Sequence, residues 1–194
     1  REKVLTVGTG FAEHFTPEGV KMLGEIAEII SREFNNVPVY VANDGDLEAF
    51  GVARTEGFAN TLVLKYGNEL AAGFIDEEGR ISDGVNEFTK MVIDFGDNAP
   101  VDNGTQIRGT SGQFISWLGI NYIAQYLGVD KILQGMELGE NIPKVLSDAL
   151  NERTDPLYEH AKMVYEKAGE YVAELAVEMS KNYPVQRVVI SGGL

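Results

Sequence analysis

Val37-Pro38-Val39-Tyr40-Val41-Ala42-Asn43-Asp44 is a β-branched run that ends in an acid and leads into Gly45-Asp46-Leu47-Glu48-Ala49. The apolar run reads as a strand over 37–42, and the residues after it read as a helix over 46–55. A carboxylate at that junction sits at the rim of an α/β sheet, where loops and helix starts converge on ligands. The same Asp44 also suits an N-cap, accepting orphan amides of the helix that follows. Both readings stand on these residues alone.

Working outward, Val4–Val7 reads as a short strand running into Gly8-Thr9-Gly10, and Thr16-Pro17-Glu18 opens a helix with Pro at its first position. Val20, Leu23, Ala27, Ile30 and Phe34 recur every three or four residues, giving helix 17–34 one apolar stripe that packs on a sheet. Strand, helix and strand within about 40 residues read as a right-handed parallel crossover, so the fold class is α/β.

Beyond the helix, Asn60–Tyr66 and Leu70–Asp76 form two β-rich runs around a Gly-containing turn, and Arg80–Ser82 continues an antiparallel meander. The Gly, Asn and Asp-rich stretch 96–112 reads as a long exposed loop. Helical periodicity then dominates. Phe114, Leu118, Tyr122 and Tyr126 mark one helix, Ile142–Leu150 a second, and Leu157, Ala161, Val164, Ala168, Val172, Leu175 and Met179 a third of about six turns. Asn182-Tyr183-Pro184 stops it ahead of strand 187–191 and Gly192-Gly193-Leu194. A strand-turn is followed ordinarily by a helix, so the expectation is a portion of a longer protein.

Composition narrows the function. The 194 residues are 44% hydrophobic, enough for a substantial core, and hold no run long enough to span a bilayer. A net charge of −14 argues against binding nucleic acid, whose affinity comes largely from Lys and Arg. The absence of cysteine excludes disulfides and thiolate metal sites and fits a reducing compartment. His14 and His160 stand at no metal-ligand spacing, Trp117, Tyr122 and Tyr126 read as core, and Asp76 with Glu78 and Asp94 with Asp97 read as solvated turns.

Asn43-Asp44, the hairpin turn Gly67–Gly73, the long terminal helix and the strand ending in Gly192-Gly193 follow one another in an order that resembles the ROK family of sugar kinases and repressors. The resemblance covers about residues 36–194. It implies an actin-like, ribonuclease H-like ATPase lobe with a mixed sheet flanked by helices. Residues 1–45 would end the N-terminal lobe, and 46–194 would be a C-terminal lobe cut after its adenosine-side strand.

The resemblance implies roles. Asp44 would be the general base on a hexose hydroxyl, Asn43, Asn86 and Glu87 would join it in holding the sugar, and Gly67, Asn68, Gly73, Gly192 and Gly193 would meet the nucleotide. Mg-ATP, a hexose, a cytoplasmic setting and a homo-oligomer are implied with them. An acceptor within reach of the attacking hydroxyl is what phosphoryl transfer requires. The chain departs from the family elsewhere. Its phosphate hairpin Gly-Thr-Gly-Ile-Gly-Gly-Gly becomes Gly67-Asn68-Glu69-Leu70-Ala71-Ala72-Gly73, with Glu69 in a glycine's place.

Gly73-Phe74-Ile75-Asp76 through Gly79-Arg80-Ile81 and Gly84 keeps the family's spacing, but its sugar-binding Glu and zinc-binding His fall on Met91 and Asp94. The zinc loop falls on Gln106–Ile115, where both glycines, Gly109 and Gly112, remain, every cysteine is gone, and a second sugar-binding Glu is Ile115. Structural zinc is therefore expected to be absent, and loop 96–112 must be ordered otherwise or be mobile. The Asp-x-Gly-x-Thr phosphate loop of the family's opening is missing, so these residues alone are expected to be inactive. A sugar-binding or regulatory relative without kinase activity is the alternative.

Overall fold

In a computed structural model the described residues are 17–39 (side chains from 25), 43–81, 88–138 and 141–192. The chain divides into two compact units, 1–43 and 44–194. In the first, helix α1 spans Pro17–Glu33, as its proline start predicts. Val37–Val39 belong to no strand, and the rest of the expected strand 37–42 and all of 4–7 lie outside the described residues.

The second unit opens with α2, Asp44–Glu56. Strands β1 (Thr61–Tyr66) and β2 (Ala71–Ile75) pair antiparallel in the predicted hairpin, with Lys65 opposite Ala71 and Val63 opposite Gly73. The expected third strand at 80–82 is reduced, within the described residues, to one bridge between Ile75 and Ile81. β3 (Arg187–Gly192) instead adds parallel to β1 on its far side, giving the order β2-β1-β3. The sheet is mixed.

Side-chain alternation along β1 assigns its two faces. Leu62, Leu64 and Tyr66 enter the large core with Phe114, Ile120, Ile123, Leu146, Val164, Leu175 and Met179, while Val63 joins Ile75 and Ala49 of α2 in a smaller cluster. Helices α3 (Trp117–Tyr126), α4 (Val129–Gly135), α5 (Ile142–Ala149) and α6 (Tyr158–Ser180) supply the large core.

The stripe expected for α3 is corrected. Phe114 lies ahead of the helix, which begins only after Ser116 caps it by accepting the Gly119 amide at 3.0 Å. The buried face is consequently Gly119, Ile120, Ile123 and Ala124, and Leu118 and Tyr126 are exposed. On α6 the predicted stripe holds, except that Tyr171 rather than Val172 is fully buried, stacked on Phe114 at 4.1 Å. Helix α4 had no sequence signal, because seven residues are two turns, too few to show a period.

Loop 96–112 is largely exposed, as its composition predicts, but it is tied down. Asp102, 5% exposed, accepts the Thr105 amide (2.7 Å) and hydroxyl (2.9 Å), the Lys90 ammonium (2.9 Å) and the Gln113 carboxamide (3.2 Å). Bridges Val92–Thr110 and Val101–Arg108 close it further. A contact between a buried acid and a half-buried lysine thus ties the segment down where the resemblance expects thiolates and zinc. Burial pushes the Asp102 carboxyl up, but the Thr105 amide and Lys90 more than offset it, leaving a pKa of about 2.

Candidate functional site

Asp44 does not precede α2 as a cap; it is the first residue of the helix, because the helix starts two residues earlier than the pattern suggested. Its Oδ1 accepts the Gly45 amide at 3.0 Å, and Oδ2 lies 4.0 Å from the Lys65 Nζ. The side chain is 66% exposed, so the carboxylate faces solvent. An ion pair this open contributes little to stability.

What fixes Asp44 is the backbone contact beneath it. A Cβ on Gly45 would lie 2.3 Å from the Ala72 carbonyl oxygen, and one on Gly73 would lie 2.6 Å from the Gly45 carbonyl oxygen and 2.8 Å from the Ala49 Cβ. The first turn of α2 therefore rests directly on β2, an approach that only glycine permits at both positions. Gly73, expected at the nucleotide, faces this helix.

The same end of the sheet gathers other predicted residues. Register pairs Lys65 with Ser191 and Tyr66 with Gly192, so the parallel strands β1 and β3 end together beside Asp44. Gly192 has φ +109°, and a Cβ there would lie 2.0 Å from the Tyr66 carbonyl oxygen. Beside it the Ser191 Oγ is buried with no hydrogen-bond partner among the described residues. Tyr66 is held from the other face, its hydroxyl donating to the Ser116 carbonyl at 3.0 Å, and burial raises its pKa.

At the hairpin turn the Gly67 carbonyl accepts the Trp117 amide at 2.9 Å, docking α3 on the turn. Between them opens a cleft of about 370 Å³, lined by Asn68 and Glu69 of the turn, Trp117, Leu118 and Asn121 of α3, and Asn141 and Pro143 at the start of α5. Trp117, read from its spacing as core, is half-buried and lines this cleft.

Asn43 is exposed immediately ahead of Asp44, whereas Asn86, Glu87 and Gly193 lie outside the described residues. Three positions that the resemblance matches to sugar or zinc ligands serve the fold instead. Ile115 is 1% exposed in the core, Met91 packs against that core, and Asp94 accepts the Gly96 amide (2.8 Å) and the Tyr171 hydroxyl (3.3 Å). Among the described residues no group of three or more His, Asp or Glu side chains is placed to hold a metal ion, and without thiolates the residues at the zinc-loop positions do not fit that metal. Sequence reasoning missed Lys65, Asn121 and Asn141. Only Asn141 left a signal, Asn-Ile-Pro being a helix start, and its side chain accepts the Lys144 amide at 3.4 Å.

No protein-family model matches the chain, and no curated protein does. Solved structures match it well. A ROK family glucokinase from Streptomyces griseus in complex with glucose and AMPPNP is 19% identical, with a TM-score of 0.64 over 86% of this chain and 55% of its own. The ROK hexokinase from Thermus thermophilus is 18% identical, with a TM-score of 0.63 over 88% of this chain and 53% of its own. A ROK family transcriptional regulator, a homolog of the E. coli MLC protein, is 20% identical, with a TM-score of 0.65 over 86% of this chain and 42% of its own. The chain thus spans about half the length of the structures it matches. It has the fold of the ROK sugar kinases and regulators, an actin-like α/β architecture with a mixed sheet flanked by helices.

Proposed function

We propose that this chain is the C-terminal part of an ATP-dependent sugar kinase in which Asp44 is the general base. The observation that carries the reading is the placement of Asp44: an exposed carboxylate, held by the Gly45–Gly73 contact, at the strand ends where Lys65, the hairpin turn and Gly192 meet. In the reaction a hexose hydroxyl oxygen attacks the γ-phosphorus of ATP, Asp44 takes the hydroxyl proton, and the bond to the ADP oxygen breaks. Asn43, Asn86 and Glu87 would hold the sugar, with Gly67, Asn68, Gly192 and Gly193 near the nucleotide. Mg²⁺ would arrive with the phosphates. No described helix is long and apolar enough to cross a membrane, and a cytoplasmic homo-oligomer belongs to the same proposal.

The second reading, a sugar-binding or regulatory relative without kinase activity, is favoured by Ile115. A side chain 1% exposed in the core cannot contact a sugar. A coupled ATP-consumption assay on the full-length protein with a panel of hexoses, comparing wild type with Asp44→Ala, separates the two. Turnover abolished by the substitution supports the kinase; sugar binding without turnover in both proteins supports the relative.

A further inference from the structure

The cleft beside the hairpin turn has a chemistry of its own. Its lining offers an indole, the apolar surfaces of Leu118 and Pro143, the carboxamides of Asn68, Asn121 and Asn141, and one charge, that of Glu69. A carboxylate and carboxamides bind hydroxyl groups as acceptors and donors, and an indole covers the apolar face of a ring. At about 370 Å³ the cleft is at the lower end of ligand-sized pockets.

Two helix starts meet in this cleft, an arrangement that ordinarily attracts anions through unpaired amides. Here those amides are largely used. Trp117 donates to the Gly67 carbonyl, Gly119 to the Ser116 hydroxyl and Lys144 to the Asn141 side chain, and Pro143 has no amide hydrogen to give. The ammonium nearest in sequence, Lys144, is paired with Asp148. Among the described residues no ion pair engages Glu69. Its charge therefore acts on whatever enters.

We infer that this cleft takes an uncharged, hydroxyl-rich ring and that Glu69 sets its specificity by disfavouring the phosphorylated form of the same ligand. The selection does not depend on phosphoryl transfer. It holds whether the protein is a kinase, which would admit a phosphate chain only with its charge offset by a divalent cation, or a binding protein.

The chain's single tryptophan lines the cleft, so intrinsic fluorescence reads occupancy directly. Two matched pairs, adenosine with ATP and glucose with glucose 6-phosphate, all without divalent cation, distinguish a nucleoside from a hexose source. For at least one pair, the neutral member should give a saturable change and bind about tenfold more tightly than its phosphorylated partner. Glu69→Gln should narrow that ratio about fivefold, and Asn121→Asp, adding a second negative charge, should widen it. Glu166→Gln, which removes an exposed charge on α6 outside the cleft lining, should leave it unchanged, which ties the selection to the cleft rather than to net charge. The inference is overturned if neither neutral ligand binds, if the phosphorylated members bind as tightly as their partners, or if the ratio is the same in wild type and both cleft variants.

Discussion

At the scale of single residues, Asp44 and Asp102 carry the same charge in opposite circumstances. Asp44 is two-thirds exposed and makes one local hydrogen bond and one long ion pair, so Asp44→Asn should change unfolding free energy by no more than about 0.5 kcal/mol. A chemical denaturation curve of the variant checks this. Asp102 is buried among donors, and its folded pKa of about 2 lies below the ordinary 3.8. A depressed carboxyl stabilises the fold fully above the unfolded value and loses that contribution as pH falls through the folded one. Between about pH 4 and pH 2 the protein should therefore lose roughly 2 kcal/mol through this group. Denaturation midpoints over that range should fall steeply in wild type and more gently in Asp102→Asn; equal slopes would remove Asp102 from the account. The sequence showed Asp44 because a strand pattern ended on it. It hid Asp102, since nothing in Val101-Asp102-Asn103-Gly104 distinguishes a buried acid from a solvated turn.

At the scale of elements, the site depends on α2 lying directly on β2. Replacing Gly45 by Ala sets a methyl group 2.3 Å from a backbone oxygen, so helix and strand must separate. The expected cost is about 2 kcal/mol or more by thermal or chemical melting. Where the cost leaves the protein folded, the site should loosen with it. The hairpin, α1, α5 and α6 were legible because each shows its period over enough residues or carries its own punctuation, as Pro17 does. The boundary of α3 was not, because Ser116 places the cap two residues beyond the aromatic that appeared to start the stripe. The parallel addition of β3 to β1 could not be read either: 120 residues separate the two strands, and only the fold brings Lys65 opposite Ser191. Loop 96–112 was read as open from its composition. Its order comes from Lys90 and Asp102, and limited proteolysis should cut it markedly faster in Asp102→Ala than in wild type.

At the scale of the molecule, the architecture is that of ROK kinases and regulators, while two positions that the resemblance matches to sugar ligands belong to the core, Ile115 within it and Met91 packed against it. The replacements are chemically consistent with one another. A loop without thiolates is held by a partly buried ion pair, and Ile115 is 1% exposed in the large core. Asp44 stands apart from that pattern: it is two-thirds exposed and makes one local hydrogen bond and one long ion pair. The most direct test of its role is the formation of hexose phosphate from MgATP by the full-length protein, followed by mass spectrometry for wild type, Asp44→Asn and Asp44→Glu. The account predicts product from wild type, a loss of at least about 100-fold in Asp44→Asn without a change in folding, and partial activity in Asp44→Glu. Product formed at the wild-type rate by Asp44→Asn, or none formed by wild type with any hexose, would contradict it.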